Sequence, residues 1–158
     1  MYANIFDNAD QTLSVAQPTV RFNQFGSPDA VLAGGVVATA ASLTVPVAGD
    51  YAVLWQTVYL PIAGQQDCAF GIFVNGTLQN STRSGERSAV DQQLDTSSSL
   101  AILSLNVNDM LELRALIPED STQDNIILSA RIQYPPFFGA ADQPINSASL
   151  RIIRLGLS

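Results

Sequence analysis

The stretch Pro46-Val47-Ala48-Gly49-Asp50-Tyr51-Ala52-Val53-Leu54-Trp55-Gln56-Thr57-Val58-Tyr59-Leu60 decides the fold. A short β run, Leu43-Thr44-Val45, enters a Pro/Gly turn, and a long strand leaves it. Side chains alternate across a strand. Tyr51, Val53, Trp55 and Tyr59 therefore share one face, and Ala52, Leu54, Val58 and Leu60 share the other. A strand that is apolar on both faces must be covered on both. An antiparallel sandwich covers one face, so a second cover is required.

Composition points to where that cover comes from. The chain has 158 residues, enough for one domain with a sizeable core. Only 13% of its residues are charged while 47% are hydrophobic, against about 25% charged in typical soluble domains. A compact monomer of this size exposes roughly 7,600 Å², a large area for so few charges to cover. Burial of part of that surface between copies of the chain is the simpler account, since interface cores are depleted in charge. The net charge is −7, and all seven basic residues are arginine. Such a surface disfavours nucleic acid, which needs clustered basic groups, and disfavours anionic membranes. No apolar run reaches the roughly 18 residues of a membrane span, and Met1-Tyr2-Ala3-Asn4 shows neither a basic nor an apolar leader region.

Outward from the central strand, the chain reads as short strands separated by turn signals. Residues 1–17 form an N-terminal edge segment, with an edge strand from Thr12. Residues 19–25 read as a strand with Val20 and Phe22 on one face. Ala30 to Ala41 is loop plus short β. Cys68 to Val74 is a strand that turns over Asn75-Gly76, a strong hairpin signal because both residues tolerate positive φ, and returns over Thr77–Ser81. Thr82 to Ser88 reads as a polar loop with local Arg–Glu pairing, and 89–94 as a short strand. Ser97 to Leu105 and Met110 to Ile117 form a hairpin over Asn106–Asp109. Asn125 to Tyr134 alternates, with Ile126, Leu128, Ala130, Ile132 and Tyr134 inward. Ser147 to Leu155 is the closing strand. The sum is eight to ten strands with no helix: an all-β sandwich or barrel in a single domain spanning 1–158.

Four of these segments resemble one family. Pro46-Val47-Ala48-Gly49-Asp50-Tyr51-Ala52-Val53 resembles the strand entry of the C1q/TNF-like jelly roll. Phe70-Gly71-Ile72-Phe73-Val74-Asn75-Gly76-Thr77 resembles its Asn-Gly hairpin, and Leu103 to Arg114 its second hairpin, with Asn108 where Gly is usual. Asn can take that place because it tolerates positive φ. Ala148 to Leu155 resembles the closing strand of the bacterial branch, which includes the C-terminal domain of collagen-like glycoproteins of the exosporium of Bacillus-type spores. Tyr2 to Phe6 and Gln11 to Val15 are also similar to the bacterial members. The Gly-X-Y stalk of those proteins is absent from this sequence. The resemblance implies an antiparallel jelly roll of about ten strands assembling as a homotrimer. Phe22, Leu54, Val58, Tyr51, Trp55, Tyr59, Leu150 and Ile152 are then the candidates for the threefold interface or the core, and the face of strand 51–60 that meets the axis stays open.

The chemistry is sparse. There is no histidine, which removes Ser/His/Asp catalysis and disfavours zinc. The one cysteine, Cys68, has no intrachain partner and reads as a small buried hydrophobe. Glu119, Asp120 and Asp124 share a loop that could offer oxygens to Ca²⁺, but without the spacing of an EF-hand they read better as a solvated loop. Asn75-Gly76-Thr77 and Asn80-Ser81-Thr82 match the glycosylation sequon, and the turn explains the first. Phe137-Phe138 reads as a loop anchor rather than a sugar platform. No cofactor is expected. The leading reading is a non-enzymatic, homotrimeric surface module at the end of a fibre or filament on a bacterial spore or cell, with a structural, adhesive or host-contact role. The alternatives are a trimeric carbohydrate-binding module and the receptor-binding head of a phage fibre. Their partners would be a surface glycan or host receptor and an upstream stalk.

Overall fold

Strand β6 (Gly49–Leu60) is long and buries alternate side chains because Tyr51, Val53, Trp55 and Tyr59 recur at the two-residue period of a pleated chain. The structure, a computed structural model, describes residues 1–26, 28–61, 66–88, 94–117, 125–131 and 145–156. Around β6 one sheet assembles from β1 (Tyr2–Asp7), β2 (Gln11–Leu13), β3 (Val31–Ala33), β10 (Asp95–Leu105), β12 (Ile126–Leu128) and β13 (Ala148–Gly156). Its order is β2-β12-β6-β13-β1-β3, with β10 along the other edge of β6. The facing sheet holds β4 (Val37–Ala38), β5 (Leu43–Thr44), β11 (Met110–Ala115), β7 (Gln66–Val74) and β8 (Thr77–Leu78) in that order, and β9 (Ser84–Ser88) also pairs with β7. Every ladder is antiparallel. The arrangement is the expected sandwich, with the strand path broken into more and shorter pieces than the sequence indicates.

The core lies between the two sheets. Tyr51, Trp55 and Tyr59 line it from β6; Phe70 and Ile72 from β7; Leu111 and Leu113 from β11. The Phe70 ring sits 5.9 Å from Trp55 and 6.2 Å from Tyr59, tilted against both, a favourable aromatic geometry. Two of the buried polar ends are satisfied by the backbone: Trp55 Nε1 donates to Thr82 O at 2.9 Å, and Tyr51 Oη to Val47 O at 2.6 Å. Both hairpins form where expected. Asn75, Gly76 and Asn108 take φ of 50°, 82° and 68°. Asn75 also ties the two turns together. Its Nδ2 donates to Asp109 Oδ1 (2.7 Å), and its Oδ1 accepts from the Met110 amide (3.0 Å).

Several expectations need correction. Residues 19–25 are not a strand. They cross from one sheet to the other, with single bridges Thr19–Arg114 and Phe6–Gln24, while Val20 and Phe22 plug the core. The return after Asn75-Gly76 ends at Leu78, and Asn80–Thr82 form a 3₁₀ turn whose Thr82 hydroxyl accepts from Ile72 N and donates to Gln79 O. The polar stretch expected as a loop contains strand β9. Gly85 permits its close approach, since a Cβ there would meet Ala69 at 2.5 Å. Arg87 pairs across the ladder with Asp67, at 2.6 and 2.8 Å, rather than with a neighbouring glutamate. Within the N-terminal segment β2 lies at a sheet edge, but β1 is interior, flanked by β13 and β3. The closing part of the 125–134 stretch, the proposed strand at 89–94 for all but its last residue, the acidic loop with Glu119, Asp120 and Asp124, and Phe137-Phe138 lie outside the described residues.

Asp7 closes β1 as a buried carboxylate. Its Oδ2 accepts from Gln11 Nε2 (2.6 Å) and Ser147 Oγ (3.2 Å). Burial raises its pKa above the ordinary aspartate value, and these hydrogen bonds oppose the rise without cancelling it. Between the unfolded and folded pKa values the folded chain keeps a proton that the unfolded chain has lost. The resulting stability is fully present below the unfolded value and is lost as pH rises through the folded one. Thermal melts between pH 4 and 7 are therefore expected to show a gain on acidification in the wild type relative to Asp7→Asn, in which this component is missing; parallel pH curves for the two proteins would contradict the assignment.

Candidate functional site: the outer face of the larger sheet

The candidate site follows from strand registers. β10, β6, β13 and β1 lie side by side, and their outward side chains form cross-strand rows. Ile102, Ala52, Ile153 and Tyr2 make one row; Leu100, Leu54, Arg151 and Asn4 the next; Ser98, Gln56, Ser149 and Phe6 a third. The first two rows are mostly apolar, yet Leu100 and Ile102 are 64% and 65% exposed. Tyr2, Ile153 and Leu155 are also exposed. Five large apolar side chains exposed on one flat sheet face are unlike the scattered hydrophobes normal on a monomer surface.

The sequence candidates separate cleanly. Phe22, Tyr51, Trp55, Tyr59, Leu150 and Ile152 lie in the core between the sheets. Val58 is buried on the opposite side of β6. Leu54 is half-buried on the outer face, flanked by Leu100 and Arg151. The inward-facing set of β6 is thus the sandwich core, and the set with Ala52 and Leu54 faces outward. Sequence reasoning missed Leu100, Ile102, Ile153 and Tyr2. The signal was present: β10 and β13, like β6, carry apolar residues on both faces (Leu100 and Ile102 against Leu103 and Leu105; Ile153 and Leu155 against Leu150 and Ile152).

Among the described residues of these four strands, the charged side chains on this face are Arg151 and Asp50. Arg151 Nε donates to Asn4 Oδ1 at 2.9 Å, and Asp50 accepts from Ser104 Oγ at 2.6 Å. The remaining reactive candidates sit elsewhere. Cys68 is buried on the inner face of β7. Burial, with help from the charges of Asp67, Asp95 and Glu86, pushes its thiol pKa up to about 12. Among the described residues no group of three or more His, Cys, Asp or Glu could hold a metal ion, and no helix is long and apolar enough to cross a membrane.

No protein-family model and no curated protein sequence matches this chain. Solved structures do match in shape. The TNF Eiger of S. frugiperda superposes with a TM-score of 0.71 at 13% identity, over 100% of this chain and 94% of that one. The globular domain of zebrafish complement 1qA protein superposes with a TM-score of 0.62 at 12% identity, over 99% and 98%. The fold is therefore the C1q/TNF-like jelly roll, as the strand-entry and hairpin motifs indicate.

A buried thiol with so high a pKa is almost wholly protonated at neutral pH, and the thiolate is the nucleophile. Cys68 is expected to resist a thiol-specific reagent at pH 8 in the folded protein and to react fully in 6 M guanidinium chloride; rapid modification of the native chain would show that β7 opens or that the thiol is accessible.

Proposed function

We propose that this protein is a non-enzymatic homotrimeric module that caps a fibre or filament on a spore or cell surface, where it acts in structure, adhesion or host contact. The observation that carries the assembly is the exposed apolar face built by Tyr2, Leu100, Ile102, Ile153 and Leu155. Burying a large apolar side chain contributes about 1.5–3 kcal/mol. Five half-exposed ones together recover an amount of the same order as the cost of association. A second copy is the natural occupant. It offers the same apolar surface, and the low charge of the chain spares the contact from repulsion. The resemblance of the strand entry and the two hairpins to the C1q/TNF-like jelly roll supports threefold symmetry, and that of the closing strand, Tyr2–Phe6 and Gln11–Val15 to its bacterial members supports placement on a surface fibre. The absence of histidine and the burial of the sole thiol support a binding or structural role over a catalytic one.

The assembly is tested by charge placed on the two faces separately. Leu100→Asp or Ile102→Asp is expected to yield a folded, sandwich-type circular dichroism spectrum and a monomer on size-exclusion chromatography with light scattering. Val53→Asp, on the inner face, is expected to unfold the chain. An Ile102→Asp protein that keeps the wild-type mass would overturn this face as the interface. Loss of fold in both outer-face variants would place it in the subunit core instead.

A further inference from the structure

The third row of the outer face does not share the apolar character of the first two. The registers Ser98–Gln56 and Gln56–Ser149 bring three neutral polar side chains into line across β10, β6 and β13. Arg151 stands in the adjacent row, beside Leu54 and Leu100. Between these rows runs a groove of about 320 Å³, lined by Leu54, Gln56, Ser98, Leu100, Ser149 and Arg151. That is a volume suited to a small ligand.

Three observations describe what the groove accepts. Its lining has one cation and no acidic residue, in a chain with twice as many acidic as basic residues. Arg151 uses Nε on Asn4, and neither of its Nη groups hydrogen-bonds a described residue. Ser149 is only 5% exposed, yet its hydroxyl has no hydrogen-bond partner among the described residues; the Gln56 amide and Ser98 hydroxyl have none either. A guanidinium fork beside hydroxyl and amide donors is the chemistry that binds oxyanions, because its N–H groups match their oxygens two at a time.

We infer that this groove is a binding site for a small oxyanion, a sulfate, phosphate or carboxylate group held by the Arg151 Nη donors with Ser149, Ser98 and Gln56 as neutral partners. Leu54 and Leu100 form an apolar wall along the groove beside Arg151. The rest of the chain is acidic, so attraction is local rather than long-range. The groove lies on the face assigned to self-association. Enclosure of the anion between copies, where it would neutralise the exposed Arg151 once that face is covered, rests on that reading; the site on each chain does not.

The test uses the full chain and sodium sulfate as probe, with sodium chloride at matched ionic strength as control. Thermal melts are expected to show a saturable sulfate-specific rise for the wild type, since a ligand that binds only the folded state stabilises it by mass action. Arg151→Gln is expected to raise the half-saturating sulfate concentration by at least about tenfold. Ser149→Ala, a small change with no bond to lose in the free protein, is expected to raise it less. An equal sulfate response in the wild type and Arg151→Gln would reduce the effect to general salting and overturn the site. So would a wild type with no sulfate response whose assembly depends on Arg151, since that outcome assigns the arginine to a carboxylate of a second copy. Sedimentation of the same samples reports the assembly separately. A monomer that binds sulfate keeps the site and removes the trimer; a trimer that does not bind it does the reverse.

Discussion

The structure depends on the requirement that β6 be covered on two sides. It lies inside its sheet, with β10 on one edge and β13 and β12 on the other, so its backbone groups are paired and its side chains must settle the rest. The inner side is settled within the chain, by Phe70 between Trp55 and Tyr59 and by the aliphatic rows of β7 and β11. The outer side is not. β10 and β13 repeat the same two-faced pattern, so the exposed apolar surface extends across neighbouring strands instead of ending at β6. The apolar part of that face is the surface proposed to meet another copy of the chain, and the polar row beside it carries the proposed anion site.

Most of the fold was legible because its strongest local signals coincide with its tertiary needs. The β6 alternation, the positive-φ turns at Asn75-Gly76 and Asn108, and the inward Leu111, Leu113 and Ala115 are each enforced by backbone sterics or by burial. The failures share one cause. Ser84–Ser88 has no hydrophobic period; it is a strand because β7 offers it a ladder and Gly85 lets it approach. Residues 19–25 do have a period, but Val20 and Phe22 are buried by crossing between sheets, and no second strand extends the pairing beyond single bridges. In both cases the decision belongs to the partner, which a single stretch of sequence does not contain.

The outer face was half legible. Its existence follows from a strand that is apolar on both sides, and the alternation separates Leu54 from Tyr51 and Trp55 without any structure. Its composition does not follow. Tyr2, Leu100 and Ile153 come from three distant parts of the chain and meet only through registers such as Tyr2–Ile153 and Leu100–Leu54. The row Ser98–Gln56–Ser149 is further still from the sequence, since each member alone reads there as an ordinary polar residue of a strand. Arg151 could be noticed as one of few cations, but its use of a single donor on Asn4 appears only in the folded chain.

The most direct measurement of the central claim is the solution mass of the wild-type chain by sedimentation equilibrium from micromolar concentration downward. The account predicts a single species of three times the 16.8 kDa chain mass that persists on dilution. A stable 16.8 kDa monomer at micromolar concentration, with the outer face of β6, β10 and β13 left in water, would contradict it.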